Sequence, residues 1–226
     1  SNPLVKDLHI AEIKTDRLEE VKQLTNPVTA TTDYHELLKN DDIDAFFISA
    51  TPEDIHYPMA KDCMEAGKHV FLEKPLSLTL KEADHLVELA ETNDVKFTIG
   101  YSQRFNPKFA YLKKCLSDGT IGNPVAGLVS RHITRGLGHK IGGRIKLSPA
   151  AMEATHDLDF LLWCLEPAKP IRVYSQSAYG VMKDVTGLED AQWSIVTLDN
   201  GVIITIGSGW TMPPGCLLYT SDAADE

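Results

Sequence analysis

Three observations predict an α/β chain that begins as a parallel sheet with covering helices and continues as an α+β region on a mostly antiparallel open sheet. Between Leu8 and Gly100, strand-like and helix-like runs alternate at the spacing of βαβ units, the order that builds a parallel sheet. Beyond Asn106-Pro107 the alternation stops and long β-rich runs follow, the pattern of a second, antiparallel sheet. Two early apolar runs end in proline turns, Ala50-Thr51-Pro52 and Glu73-Lys74-Pro75, at the carboxyl ends where open α/β sheets place their ligand crevice.

In chain order, strands are predicted at 8–13, 44–50, 68–72 and 96–99 from short apolar runs bounded by turn residues. Between them, 16–24 reads as a charged amphipathic helix, Asp33 can cap a helix through Leu38, and Glu53 to Glu65 is a third that closes at Ala66-Gly67. Thr79 to Glu91 is a fourth, with Thr79 and Glu82 at capping-box spacing. A helix from about Lys108 to Leu116 ends at Ser117-Asp118-Gly119. The β-rich runs 125–134, 171–179, 191–198 and 202–208 follow, interrupted by one helix from about Pro149 to Leu165. Asp199-Asn200-Gly201 between the last two is a hairpin signal.

Composition is that of a globular protein, with 43% hydrophobic and 24% charged residues in 226. A net charge of −10, or −7 once Asp222, Asp225 and Glu226 are set aside, argues against a nucleic-acid-binding surface and for small-molecule chemistry. No run approaches 18 apolar residues, so no membrane span and no membrane partner is expected. Cys63, Cys115, Cys164 and Cys216 lie about 50 residues apart without Cys-x-x-Cys pairing, which suits free thiols in the reducing cytoplasm. Residues 216–226 match the translation of a transposase sequencing adapter, and this tail is expected to be artefactual. The strand at Leu8 follows Ser1 with no earlier strand, glycine-rich turn and helix, so the chain reads as an internal fragment missing roughly 30 residues, one βαβ unit.

Four segments carry the chemistry: Asp44 to Pro52 with His56 after it, Gly67-Lys68-His69-Val70-Phe71-Leu72-Glu73-Lys74-Pro75, Gly100-Tyr101-Ser102-Gln103-Arg104-Phe105-Asn106-Pro107, and Glu153-Ala154-Thr155-His156-Asp157-Leu158-Asp159. In this order and spacing they resemble the Gfo/Idh/MocA family of nicotinamide-dependent sugar and polyol oxidoreductases, over about Leu8 to Gly215. The resemblance implies a partial, truncated Rossmann-type dinucleotide-binding domain over 1–102. It also implies a partial α+β substrate and oligomerisation domain over 103–215, and a homo-oligomer when complete. The implied activity is hydride transfer between a nicotinamide cofactor and a sugar, inositol or related polyol. A non-catalytic dinucleotide-binding sensor on the same fold is the alternative.

Glu12, ending the first strand, stands where a Rossmann fold places an acid on the adenosine ribose, which favours NAD; Lys14 two residues on leaves NADP open. Ala50, Thr51 and Pro52 let backbone approach the cofactor, and His56 is assigned to the same pocket. Pro75 fixes the turn and is compatible with a cis bond after Lys74. Oxidising a secondary alcohol sends hydride to nicotinamide C4 and leaves a proton to remove, so a lysine near the carbinol oxygen stabilises the developing alkoxide. The family match gives Lys74 this catalytic role, with Glu73 contacting the cofactor or orienting the lysine and Gln103 and Arg104 lining the cleft. His156 is the second catalytic residue, a proton relay held by Asp159. Met152, His156, Asp159 and Trp163 share a helical face, with Glu153 and Asp157 on the adjacent stripe. Arg131, Glu153, Asp157 and Asp159 complete the substrate-side set. Many polyol dehydrogenases of this family carry an aspartate where this chain has Met152, which leaves the proton path open.

Gly136 to Gly143 superficially resembles a dinucleotide turn, but its third glycine falls one position late and no clear helix begins there. Flanked by Arg131, Arg135, Arg144 and Lys146, it is expected to be a mobile substrate-side segment. His9, His35, His69, His85, His132 and His139 show no ligand spacing, and no metal is expected.

Overall fold

The computed structural model describes residues 3–213, so the expectation for the tail at 216–226 lies outside the described residues. The chain divides into two units, one formed by residues up to Thr51 with Ile55–Ile99 and one by Pro52–Asp54 with the chain from Gly100 onward.

In the first unit, β1 (His9–Ala11) pairs in parallel with β2 (Thr29–Thr31). A separate parallel sheet runs in the order β3 (Ala45–Ile48), β4 (His69–Leu72), β5 (Phe97–Ile99), with Ile48, Leu72 and Ile99 in one row. Local chemistry sets the helix boundaries. Helix α1 (Thr15–Thr25) stops at Asn26, whose left-handed φ of 48° lets its N–H reach the Lys22 carbonyl. The Asp33 carboxylate accepts from His35 N at 3.0 Å to start α2 (Tyr34–Leu38). A 3₁₀ turn at Glu53–Ile55 leads into α3 (His56–Glu65), which closes at Gly67 with φ 72°. The Thr79 hydroxyl accepts from Glu82 N to start α4 (Leu80–Thr92). Ile48, Ala60, Cys63, Met64, Val70, Leu72 and Leu86, none more than 2% exposed, form the core where α3 and α4 cover the sheet. Truncating one of these large side chains to alanine costs about 2–5 kcal/mol.

The second unit starts with α5 (Pro107–Ser117), capped by Asn106, which accepts from Lys108 N at 3.0 Å, and with proline in its first turn. Its sheet runs in the order β6 (Ala126–Thr134), β9 (Ile203–Met212), β8 (Ala191–Leu198), β7 (Pro170–Ala178). β6 is parallel to β9, and the other two pairings are antiparallel. The hairpin between β8 and β9 turns through Gly201 at φ 87°, with Asn200 Oδ1 accepting from Val202 N at 3.1 Å. Residues 150–154 form a π-helical turn that runs into α7 (Thr155–Cys164). One face of the sheet packs Val196, Leu198, Ile204 and Ile206 against this helical segment. On the other face Leu128, Thr205, Ile195 and Tyr174 stand opposite one another across all four strands, and Leu128, Ile195 and Tyr174 are exposed.

Three expectations change here. The strand β2 was not predicted, because three residues of Thr-Ala-Thr carry no period. Residues 136–143 are not a mobile loop: they lie within α6 (Arg135–Arg144), whose Ile141 packs with Ile145, Met152, Met182 and Trp210. Four glycines hide that helix, yet at Gly138 a Cβ would lie 2.5 Å from Trp210 Cβ, so glycine is what lets the helix touch the sheet. Three helices rather than one interrupt the strands, because α8 (Val181–Thr186) is started by the Asp190 carboxylate, which accepts from the N–H groups of Gly180, Val181 and Met182. Among the described residues, no helix is long and apolar enough to cross a membrane.

Candidate active site

In the first unit the sheet delivers its chemistry at the carboxyl ends of β3 and β4. Pairing continues one residue past the strands, Glu73 N donating to Ile48 O at 2.9 Å, and then the two chains turn away as Ala50-Thr51-Pro52 and Glu73-Lys74-Pro75. Thr51 and Pro52 are exposed, Glu73 and Lys74 half-buried, and Pro75 buried. The Lys74–Pro75 bond is cis, and Lys74 N donates to the Glu73 carboxylate at 3.3 Å. Glu12 follows β1 with its N–H on Thr31 O, while its carboxylate accepts from Lys14 N at 3.0 Å and lies 3.5 Å from Arg17 Nε. Arg17 was missed in the sequence. As a solvated pair it adds little stability, but it sets a second cation beside the acid.

His56 departs from its assignment to a cofactor pocket. The residue is 1% exposed, with Nδ1 2.8 Å from Pro75 O and Nε2 2.9 Å from Ala50 O, so both ring nitrogens face backbone carbonyls.

In the second unit, Ser102–Phe105 forms a 3₁₀ turn that buries Gln103 and leaves Arg104 exposed. Arg104 grips Asp159 with both arms, Nε to Oδ2 at 2.8 Å and Nη2 to Oδ1 at 2.5 Å, and these bonds push the guanidinium pKa further up. Asp159, expected to hold His156, has both of its oxygens in the grip of the Arg104 guanidinium fork. Arg131 and Asp157 form a second two-armed pair at 2.7 and 2.9 Å, with side chains 19% and 6% exposed. That pairing satisfies Asp157 within the fold. Glu153 is half-buried.

His156 is half-buried on the first turn of α7, and Tyr101 sits edge-on to it with ring centroids 6.2 Å apart at 84°. Tyr101 is itself held, its hydroxyl 3.1 Å from Thr155 Oγ1. Its aromatic brace was not anticipated, although it lies in the Gly100 to Pro107 motif. Residues 150–154 form the π turn, and Met152, 4% exposed, enters the apolar cluster with Ile141 and Trp210. Glu53, 3% exposed, is also a residue the sequence reading passed over: Arg144 of α6 holds its carboxylate with both arms.

Known proteins resemble this arrangement. Residues 3–101 match the Gfo/Idh/MocA model, described as an oxidoreductase family with an NAD-binding Rossmann fold. The chain is 36% identical over 115 residues to myo-inositol 2-dehydrogenase of Thermotoga maritima, covering 51% of this chain and 34% of that protein. It is 28% identical over 178 residues to inositol 2-dehydrogenase of Salmonella typhimurium, covering 77% of this chain and 50% of that one. The chain thus spans a third to a half of the length of these relatives. Scyllo-inositol dehydrogenase of Lactobacillus casei, solved with NAD(H) and scyllo-inositol, shares the fold at a TM-score of 0.80 with 21% identity, over 92% of this chain and 63% of that one. In its parallel strand ends, its Glu73-Lys74-Pro75 turn and the match over residues 3–101, the first part of the chain is similar to the Gfo/Idh/MocA oxidoreductase family.

Proposed function

We propose that this chain is part of a nicotinamide-dependent dehydrogenase that oxidises a CH–OH group of a sugar, inositol or related polyol, with NAD as its cofactor. The observation that carries this reading is the emergence of Lys74 from the carboxyl end of a buried parallel strand, beside the small-residue end of its neighbour. Glu12 and the Ala50-Thr51-Pro52 segment suit the dinucleotide: an acid for ribose hydroxyls and a strand end without bulky side chains. When bound, the nicotinamide accepts the hydride. In this reading Lys74 stabilises the charge that develops on the carbinol oxygen, and His156, oriented by Tyr101, accepts the hydroxyl proton. Gln103 and Arg104 line the cofactor side, and Arg104, Arg131, Glu153, Asp157 and Asp159 shape the substrate side, four of them through the ion pairs described.

Several further assignments belong to this proposal. The two domains are taken as 1–102 and 103–215. The exposed apolar row Leu128, Ile195, Tyr174, flanked by Trp193 at 47% and Ile203 at 45% exposed, supports a homo-oligomer that covers this face. Buried free thiols at Cys63, Cys115 and Cys164 suit the cytoplasm.

Turnover of a polyol panel with NAD by the full-length protein, before and after Lys74→Ala, tests the reading. The substitution is expected to lower kcat by about 10²–10⁴. Activity preserved within about tenfold would remove Lys74 from the mechanism. Dinucleotide binding with no change at the nicotinamide on any polyol would favour the sensor.

A further inference from the structure

We infer that His56 is a positioning residue that fixes where the Glu73-Lys74-Pro75 turn delivers Lys74. The inference rests on the proposed role of Lys74. Regular pairing between β3 and β4 ends with Glu73 N on Ile48 O, and the turns beyond it leave backbone carbonyls that need donors where water is excluded. Pro75 is buried and has no N–H of its own to offer. One imidazole spans the gap: Nδ1 stands 2.8 Å from Pro75 O and Nε2 2.9 Å from Ala50 O. Carbonyl oxygens only accept, so a ring with hydrogen on Nδ1 holds the Lys74 turn, one with hydrogen on Nε2 holds the Ala50 end, and one with both ties the two strand ends together.

The brace is rigid because of where it is anchored. His56 opens α3, whose Ala60, Cys63 and Met64 pack in the same core as Ile48, Val70 and Leu72. A motion of the ring therefore requires repacking of residues that are 2% exposed or less. The Pro75 carbonyl lies one residue from Lys74, so loss of its donor frees the turn that aims the amine, and a misplacement of about 1 Å lowers turnover by about 10²-fold.

Three substitutions in the full-length protein separate the two bonds. His56→Asn keeps a donor near Nδ1 and so keeps Pro75, His56→Gln reaches instead toward Ala50, and His56→Leu removes both. Two readouts are taken: kcat and KM with NAD and polyol, and the Lys74 signal in NMR spectra of ¹³C-methylated lysines, identified by its loss in Lys74→Arg. His56→Leu is expected to lower kcat by roughly 10–100-fold while dinucleotide affinity holds within about threefold, and to move the Lys74 signal. His56→Asn is expected to restore both, and His56→Gln to restore less. An unmoved Lys74 signal in folded His56→Leu overturns the inference, as does equal behaviour of the Asn and Gln variants. If His56→Leu does not fold, the comparison of Asn with Gln decides. If the parent turns over no polyol, the dehydrogenase reading falls, while the Lys74 signal still judges His56 by itself.

Discussion

Replacing Asp157 with alanine tests whether the second unit is held by charge pairing rather than offering that carboxylate to a ligand. Asp157 is 6% exposed at its side chain and receives Nε and Nη2 of Arg131 at 2.7 and 2.9 Å. Its removal deletes both of these bonds from a guanidinium that is only 19% exposed. Breaking a buried pair by deleting one partner costs about 3–5 kcal/mol, and the residual water access of Arg131 places this case near the lower end, about 3 kcal/mol. For a chain of this size that is a fall in Tm of roughly 6–12 °C, read by thermal unfolding in circular dichroism and calorimetry. The decisive control is the double substitution Arg131→Met with Asp157→Leu, which removes both charges at similar volume and should recover most of the loss. A single variant that melts within about 2 °C of the parent, or a double variant as unstable as the single, would refute the reasoning.

Gly138→Ala should destabilise by about 1–3 kcal/mol, despite alanine's higher helix propensity, because its Cβ would meet Trp210 at 2.5 Å; denaturant unfolding checks this. Burial pushes the Cys63 thiol from its ordinary 9.0 up to about 12. The folded value is the raised one, so its contribution to stability is complete below pH 9 and is lost as pH rises toward 12. Cys63→Ala should therefore flatten the alkaline fall in Tm, and a thiol reagent at neutral pH should leave native Cys63 unlabelled. Tyr174→Lys with Ile195→Lys should shift the sedimentation of the full-length protein toward monomer with Tm nearly unchanged, because both side chains already face solvent.

Much of the fold was legible because it depends on neighbours in sequence. The parallel strands announced themselves as short apolar runs, and Asp33, Thr79 and Asn106 cap their helices through backbone groups two or three residues away. The Asn200-Gly201 turn is equally local, and it defines the β8–β9 hairpin. The elements that were missed carry no local signature: β2 is three residues long, and α6 is written with four glycines that read as loop until Trp210 is seen against Gly138. The π turn has no pattern of its own, and Met152 within it packs in the core.

The sequence by itself determined which chemistry is available: a lysine and a glutamate at the end of a buried strand, a histidine opening a second helix, and an order of motifs similar to that of the Gfo/Idh/MocA family. Tertiary structure alone decided the partners. Arg131 meets Asp157 across 26 residues, Arg104 meets Asp159 across 55, and Arg144 meets Glu53 across 91, while His56 reaches Pro75 across 19. Such pairs follow no local period. Where packing has removed a partner from water, as at Asp157, Glu53 and His56, an unpaired charge or carbonyl costs more than the ordering needed to pair it.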